Sequence, residues 1–180
     1  ARLDWAKPLP FEVRTAASVA AAGELDRLEV LYWVGCAAAF DTRNQKVARA
    51  VATCLHAAGV RFAILGQEES GTGDPARRMG NDYVFQMLAM GAIETLDKYR
   101  MRERTIVTAC PHCFNSISNE YGQLGGAFRV VHHSQFLAEL VSSGRLATVS
   151  EDATSETGDH RPGSVTVHDS CYLARYNGVV

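Results

Sequence analysis

Residues 105–115, TIVTACPHCFN, set a short β-branched run directly in front of two cysteines spaced C-x-x-C and a helical stretch reaching about Tyr121. A strand ending on Cys110 and a helix starting near His112 make one βα unit, and the neighbouring sequence repeats that unit on both sides. Toward the N-terminus, EVLYWVG from Glu29 reads as a strand leading to Cys36, and Val47, Val51, Cys54, Leu55 and Ala58 then share one face of a helix. Gly59 stops that helix and RFAILG from Arg61 is the next strand. Asp74-Pro75 supplies an N-cap with proline at the first position of one long helix, on which Phe85, Leu88, Ala92, Leu96 and Tyr99 recur every three or four residues. Toward the C-terminus come a strand FRVVHH, a helix SQFLAELVSS, a polar linker over 150–163 and a fifth strand SVTVHDS. Parallel strands need crossover connections, so this alternation predicts an α/β fold with a mostly parallel sheet and helices on both faces. The first 28 residues show no sustained period and read as a lead-in segment wrapping the domain.

The reactive side chains fall at the ends of the predicted strands. Cys36 ends the first, Gly71 lies in the loop after the second, and Cys110 ends the third with Cys113 one helical turn later. His132 and His133 end the fourth and Cys171 ends the fifth. In an open α/β sheet the carboxyl ends of the strands form the ligand crevice, so topology alone brings these residues to one edge. Cys54 sits mid-helix on the apolar face and reads as a small hydrophobe. The loop QEESGTGDPARR (67–78) superficially resembles a phosphate cradle, but it has no Walker lysine and does not meet the G-x-G-x-x-G spacing.

Composition bounds the function. The chain has 180 residues, 47% of them hydrophobic, enough for one sizeable core. Its 18 basic and 20 acidic residues are interspersed and give a formal charge of -2, which leaves no field to draw in nucleic acid. There is no long apolar run and no signal-peptide pattern, so the chain reads as soluble and cytoplasmic. In that compartment five cysteines point to metal or redox chemistry rather than to a disulfide framework.

Thiolates at a helix N-terminus are stabilised by unpaired amides and the helix dipole, which predicts lowered pKa values for both Cys110 and Cys113. That suits more than one chemistry. CPHC between a strand and a helix is also the pattern of thiol–disulfide oxidoreductases, although here two βα units precede it and no proline lies between it and Pro162. A tetrahedral zinc site of Cys36, Cys110, Cys113 and a histidine such as His132 is a second possibility, and an iron–sulfur cluster a third.

Five ordered blocks add a resemblance to a known family. VGCAAAFDTRNQKVARAV (34–51), GDPARRMGNDYVFQMLA (73–89), TACPHCFNSISNEYGQLGG (108–126), VVHHSQFLAEL (130–140) and VTVHDSCYLARYNGV (165–179) resemble the cysteine-rich CCG domain. That family includes the cysteine-rich subunit of heterodisulfide reductase, the iron–sulfur subunits of glycolate and lactate oxidation, and electron-transfer-flavoprotein:menaquinone iron–sulfur reductases. The resemblance implies a Rossmann-like CCG domain over 29–149 and the start of a second, truncated copy over 164–180, to which the likeness of VLYWVGC to VTVHDSC also points. It implies an iron–sulfur cluster, of the [4Fe-4S] type, held by Cys36, Cys110 and Cys113. Cys171 matches the first ligand of the second copy. The partners implied are a flavoprotein or dehydrogenase subunit and a quinone or disulfide acceptor, with the full-length protein on the cytoplasmic face of a membrane. A non-redox structural fragment is the contrasting reading.

Where the family has a cysteine in its EESC-T-GDPARR form, this chain has Gly71. The ligand set is therefore incomplete, and a labile or partly occupied cluster with a raised potential is expected, the fourth place being taken by water, hydroxide, His132, His133 or Cys171. Glycine's freedom at positive φ offers one reason for the exchange. Arg77 and Arg78 are expected beside the cluster or paired with Glu68 and Glu69. Of His132 and His133, strand alternation predicts that one faces the crevice while the other points away.

Overall fold

The computed structural model describes residues 2–148, 166 and 168–179. Four parallel strands form one sheet: β1 (Val30–Trp33), β2 (Phe62–Ala63), β3 (Thr105–Thr108) and β4 (Arg129–His132), in the spatial order β2-β1-β3-β4. Val30 aligns with Thr105 and Thr105 with Arg129, so the three longer strands run in step and end level at Trp33, Thr108 and His132. The helices are α1 (Ala16–Ala21), α2 (Cys36–Phe40), α3 (Thr42–Ala57), α4 (Asp74–Arg78), α5 (Asp82–Lys98), α6 (Pro111–Asn115) and α7 (His133–Ser142).

Alternation along the strands divides the core in two. Leu31, Trp33 and Ile106 pack against Val19 of α1, Phe85, Ala89 and Leu96 of α5, and Tyr121. Val30, Tyr32, Val34 and Val107 pack on the opposite face against Ala48, Val51 and Leu55 of α3 and Leu140 of α7. Helices therefore cover both faces, as the strand–helix alternation predicted, and burial on both sides explains why β1 reads VLYW rather than as an alternating pattern. The lead-in segment joins this core. Trp5 is 1% exposed and stands edge-on to Tyr32, and Thr15 bridges to Ile64 beyond the end of β2.

Three expectations need correction. The long helix from Asp74 is two helices: Gly80 (φ 78°) breaks the chain and the Asn81 side chain accepts from the Val84 amide to start α5. Asp74 itself is helical, and Gly73 (φ 83°) occupies the N-cap. Val47, expected on the buried face of α3, is 41% exposed, the buried stripe being Ala48, Val51, Ala52 and Leu55. The expected fifth strand, over 164–170, is not among these corrections, since it falls mostly outside the described residues.

Candidate functional site

The strand order fixes where a ligand crevice can form. From β1 the chain passes to β2 on one side, then returns across to β3 on the other, so the loops leaving β1 and β3 diverge and open a gap between them. Into this gap the β1 loop delivers Cys36 and the β3 loop delivers Cys110 and Cys113, while the loop after β2 brings Ser70, Gly71 and Thr72. All of these line one cavity of about 620 Å³, together with Trp33, Met79 and Leu88. The approach is close. A Cβ on Gly35 would lie 3.5 Å from the Cys113 Sγ and 3.9 Å from the Cys110 Cβ, and Gly35 holds φ 82° and ψ 161°, a region essentially reserved for glycine. A Cβ on Gly71 would lie 3.8 Å from the Cys36 Sγ.

The two thiols of the CPHC turn are not equivalent. Cys110 is the N-cap of α6, and its Sγ accepts from the Cys113 amide at 3.5 Å. Hydrogen bonding from the Cys113 thiol, helped by the Cys113 and His112 amides, brings its pKa down to about 6 against the cost of burial. Cys113, 8% exposed, is pushed well up by that same sharing of a proton, by burial and by the negative charges of Cys110, Glu69 and Cys36. The expectation that both are lowered holds for Cys110 alone, since only the capping sulfur faces the free amides. In the metal-free chain, alkylation of Cys110 is therefore expected to rise with pH through about 6 and to level off near neutrality, falling away as acid protonates the thiolate. Peptide mass spectrometry after short exposure to iodoacetamide at stepped pH checks this, and a midpoint near that of an ordinary thiol would contradict it.

Cys36 is exposed and has its own cation. Arg2 Nη2 donates to the Cys36 Sγ at 3.6 Å, and Arg2 Nη1 donates to Glu69 Oε1 at 2.8 Å. The Glu69 carboxylate also accepts the Val34 amide at 2.9 Å and the Gly35 amide at 2.8 Å, which ties the β1 loop to the β2 loop. Burial pushes the Glu69 carboxyl above the usual carboxylate range, and the two amides and Arg2 pull it back. Sequence reasoning singled out neither Arg2 nor this role of Glu69. Arg2 lies in a segment without period, 34 residues from its partner. Glu69 was expected only as a partner for Arg77 or Arg78, two places before Gly71.

Other expected site residues lie elsewhere. Arg77 reaches Glu120 at 3.6 Å and Gln123 at 3.1 Å, and Arg78 pairs with Glu120 and with Asp74 at 3.3 Å, so neither lines the cavity. The anticipated Glu68 and Glu69 partners are taken, Glu68 by Lys98 at 2.7 Å and by Tyr99. His132 and His133 do not line the cavity either. Their rings stand 4.3 Å apart instead of pointing opposite ways, because β4 ends at His132 and His133 is already the first residue of α7. His132 is 5% exposed, with Nε2 3.3 Å from the Ala109 carbonyl, and burial together with His133 brings its pKa down to about 4. Cys171 is exposed at the start of a π-helical turn and does not line the cavity, although Tyr172 beside it packs on His112 with ring centroids 4.4 Å apart. Cys54 is half-buried on α3.

Among the described residues no three His, Cys, Asp or Glu side chains are grouped closely enough to hold a single metal ion. Cys110 and Cys113 are hydrogen-bonded neighbours, and Cys36 lines the same cavity from the β1 loop. Among the same residues no helix is long and apolar enough to cross a membrane.

Known proteins give this arrangement its context. A probable membrane-anchored ferredoxin of Chromohalobacter salexigens is 42% identical over 98% of this chain and 24% of its own length. A probable iron-sulfur-binding oxidoreductase, FadF, of Bacillus subtilis is 40% identical over 99% of this chain and 24% of its own. The EtfAB:quinone oxidoreductase of Syntrophomonas wolfei is 40% identical over 84% of this chain and 20% of its own. The chain thus spans between a fifth and a quarter of the length of these curated relatives. No solved structure matches it. The profile of the cysteine-rich domain CCG matches residues 30–118, the span from the start of β1 past the CPHC turn that builds the cavity, and this span belongs to that family.

Proposed function

We propose that this chain is part of an iron–sulfur oxidoreductase that relays electrons from a flavoprotein to a quinone, and that Cys36, Cys110 and Cys113 hold its cluster. One observation carries the reading: three thiols from two strand ends line a single cavity together with the glycine loop that follows β2. The donor set of three cysteines suits an iron–sulfur cluster, whose usual protein ligands are thiolates. The cluster is of the [4Fe-4S] type in this reading, with one corner lacking a protein thiolate at Gly71. The names of the FadF and EtfAB:quinone oxidoreductase relatives support the reaction class, and the name of the probable membrane-anchored ferredoxin supports a place at a membrane. Residues 164–180 are then the start of a second copy of the domain.

A bound cluster supplies one-electron storage and transfer. The chain's own residues prepare for it. Cys110, titrating near 6, presents a thiolate at neutral pH without waiting for metal. Arg2 places positive charge on the Cys36 sulfur, and Glu69 fixes Arg2 in that position. Met79 and Leu88 give part of the cavity an apolar lining. Anaerobic reconstitution with iron and sulfide is expected to give visible absorbance and several irons per chain. Cys110→Ser is expected to lose most of both, measured by iron and sulfide assay. Uptake that is negligible in the unaltered chain would sink the reading.

The unequal thiols favour a second reading, exchange of a dithiol at CPHC, in which Cys110 attacks and Cys113 resolves. Reduction of a small disulfide by the iron-free chain at neutral pH would be its signature.

A further inference from the structure

Of the three buried side-chain polar atoms without a partner among the described residues, one is the Tyr32 hydroxyl on the opposite face of the sheet, and the other two belong to residues that line the cavity. Trp33 ends β1, is 0% exposed and lines the cavity, yet its indole Nε1 is buried without a hydrogen-bond partner. Ser70, one residue before Gly71, also lines the cavity, and its Oγ is buried without a partner. Buried donors are almost always satisfied, and an indole N–H can only donate, so an unmet one beside a cavity calls for an acceptor inside that cavity. The thiols facing the same space are Cys36, Cys110 and Cys113. Phenylalanine would fill most of the same apolar site on this face of the sheet without burying an unpaired N–H, so packing against Phe85 and Ile106 does not by itself call for the indole nitrogen.

We propose that the Trp33 indole N–H and the Ser70 hydroxyl donate hydrogen bonds to the sulfur of the cluster held in this cavity, and that Trp33 thereby sets the potential at which the cluster takes up an electron. This rests on the cluster assignment above. A donor to sulfur stabilises the form with more negative charge, which is the reduced one, so the N–H raises the midpoint potential. Ser70, on the same loop as Gly71, adds a second donor next to the corner where the protein supplies no thiolate.

The test compares the reconstituted unaltered chain with Trp33→Phe, which keeps most of the bulk and removes only the donor, and with Ser70→Ala. Iron and sulfide per chain are counted, and the midpoint is measured by anaerobic redox titration. Both variants are expected to load with iron, and both midpoints are expected to move to more negative potential, Trp33→Phe the further. A measurement on the unaltered chain alone guards against a variant that fails to fold. The indole N–H vibrational band of Trp33, identified by site-specific isotope labelling, should shift to that of a hydrogen-bonded indole only after reconstitution. Iron taken up with an unmoved potential, or an N–H band identical in the metal-free and loaded chains, overturns this inference while leaving the cluster assignment intact. No iron taken up by the unaltered chain overturns the cluster assignment, and this inference with it.

Discussion

Gly71→Cys is expected to raise the iron and sulfide content of the reconstituted chain and to lengthen the life of the cluster in air by at least about tenfold. The scale follows from the outer partners of metal ligands, which are themselves worth about 10–100-fold in affinity, so a missing ligand should count for no less. The geometry favours the substitution. Gly71 does not hold a positive φ, and among the described residues, its chain neighbours aside, the only atom within 4 Å of a Cβ built there is the Cys36 Sγ at 3.8 Å, an ordinary contact distance. This corrects the sequence-based expectation that glycine relieves strain at this position; the glycines that do carry positive φ in the loop's surroundings are Gly66 and Gly73. A new thiol so near Cys36 could also join it in a disulfide in the absence of iron, so the variant is to be reduced before reconstitution. The midpoint should fall as well, since a fourth thiolate adds negative charge. Equal iron content and equal decay in air in the two forms would mean that position 71 does not face the cluster.

The fold was legible because its signals are local and repeated. Each strand is a short apolar run and each is followed by a helix with one buried stripe, so the parallel sheet and its two covered faces follow from period alone. The convergence of Cys36, Cys110 and Cys113 was legible too, because in such a sheet position at a strand end is position in space. Reasoning by period failed where one element passes into the next. His132 and His133 straddle a strand end and a helix start, and neither alternation nor helical spacing describes two residues that belong to different elements. Gly80 and Asn81 are ordinary stop and start signals, but the apolar spacing beyond them masked the break between α4 and α5. Arg77 and Arg78 were placed by their nearness in sequence to the Gly71 loop, whereas their side chains run to Glu120, more than 40 residues on. Arg2 illustrates a more general limit. Its contact with Cys36 and Glu69 depends on how the lead-in segment wraps, and no property of the residues around it encodes that.

Glu69→Ala is expected to cost the metal-free chain about 3–5 kcal/mol of stability, the range found when one partner of a buried ion pair is removed. Glu69 is 3% exposed and satisfies three donors at once: the Val34 and Gly35 amides and the Arg2 guanidinium. Alanine leaves the two amides without a partner, each at about 1–3 kcal/mol if water cannot reach it, and frees the cation that rests on Cys36. Those amides belong to the turn that carries Cys36 into the cavity, so the loss should also appear as weaker cluster uptake although every cysteine is intact. Glu69→Gln keeps the size and one acceptor, and should cost less while still releasing Arg2. The two substitutions also differ from the native chain in their response to pH. Burial holds the Glu69 carboxyl above its unfolded value of 4.5, so over the interval between the two the folded chain keeps a proton that the unfolded chain has lost. The contribution of this group to stability is therefore full below 4.5 and declines as pH rises through the raised value, and Glu69→Gln should remove that slope. Urea unfolding of the three forms at stepped pH measures both effects. A loss below about 0.5 kcal/mol, the size of an ordinary surface change, would mean that the amides of Val34 and Gly35 find water instead and that Glu69 does not hold the cysteine loop in place.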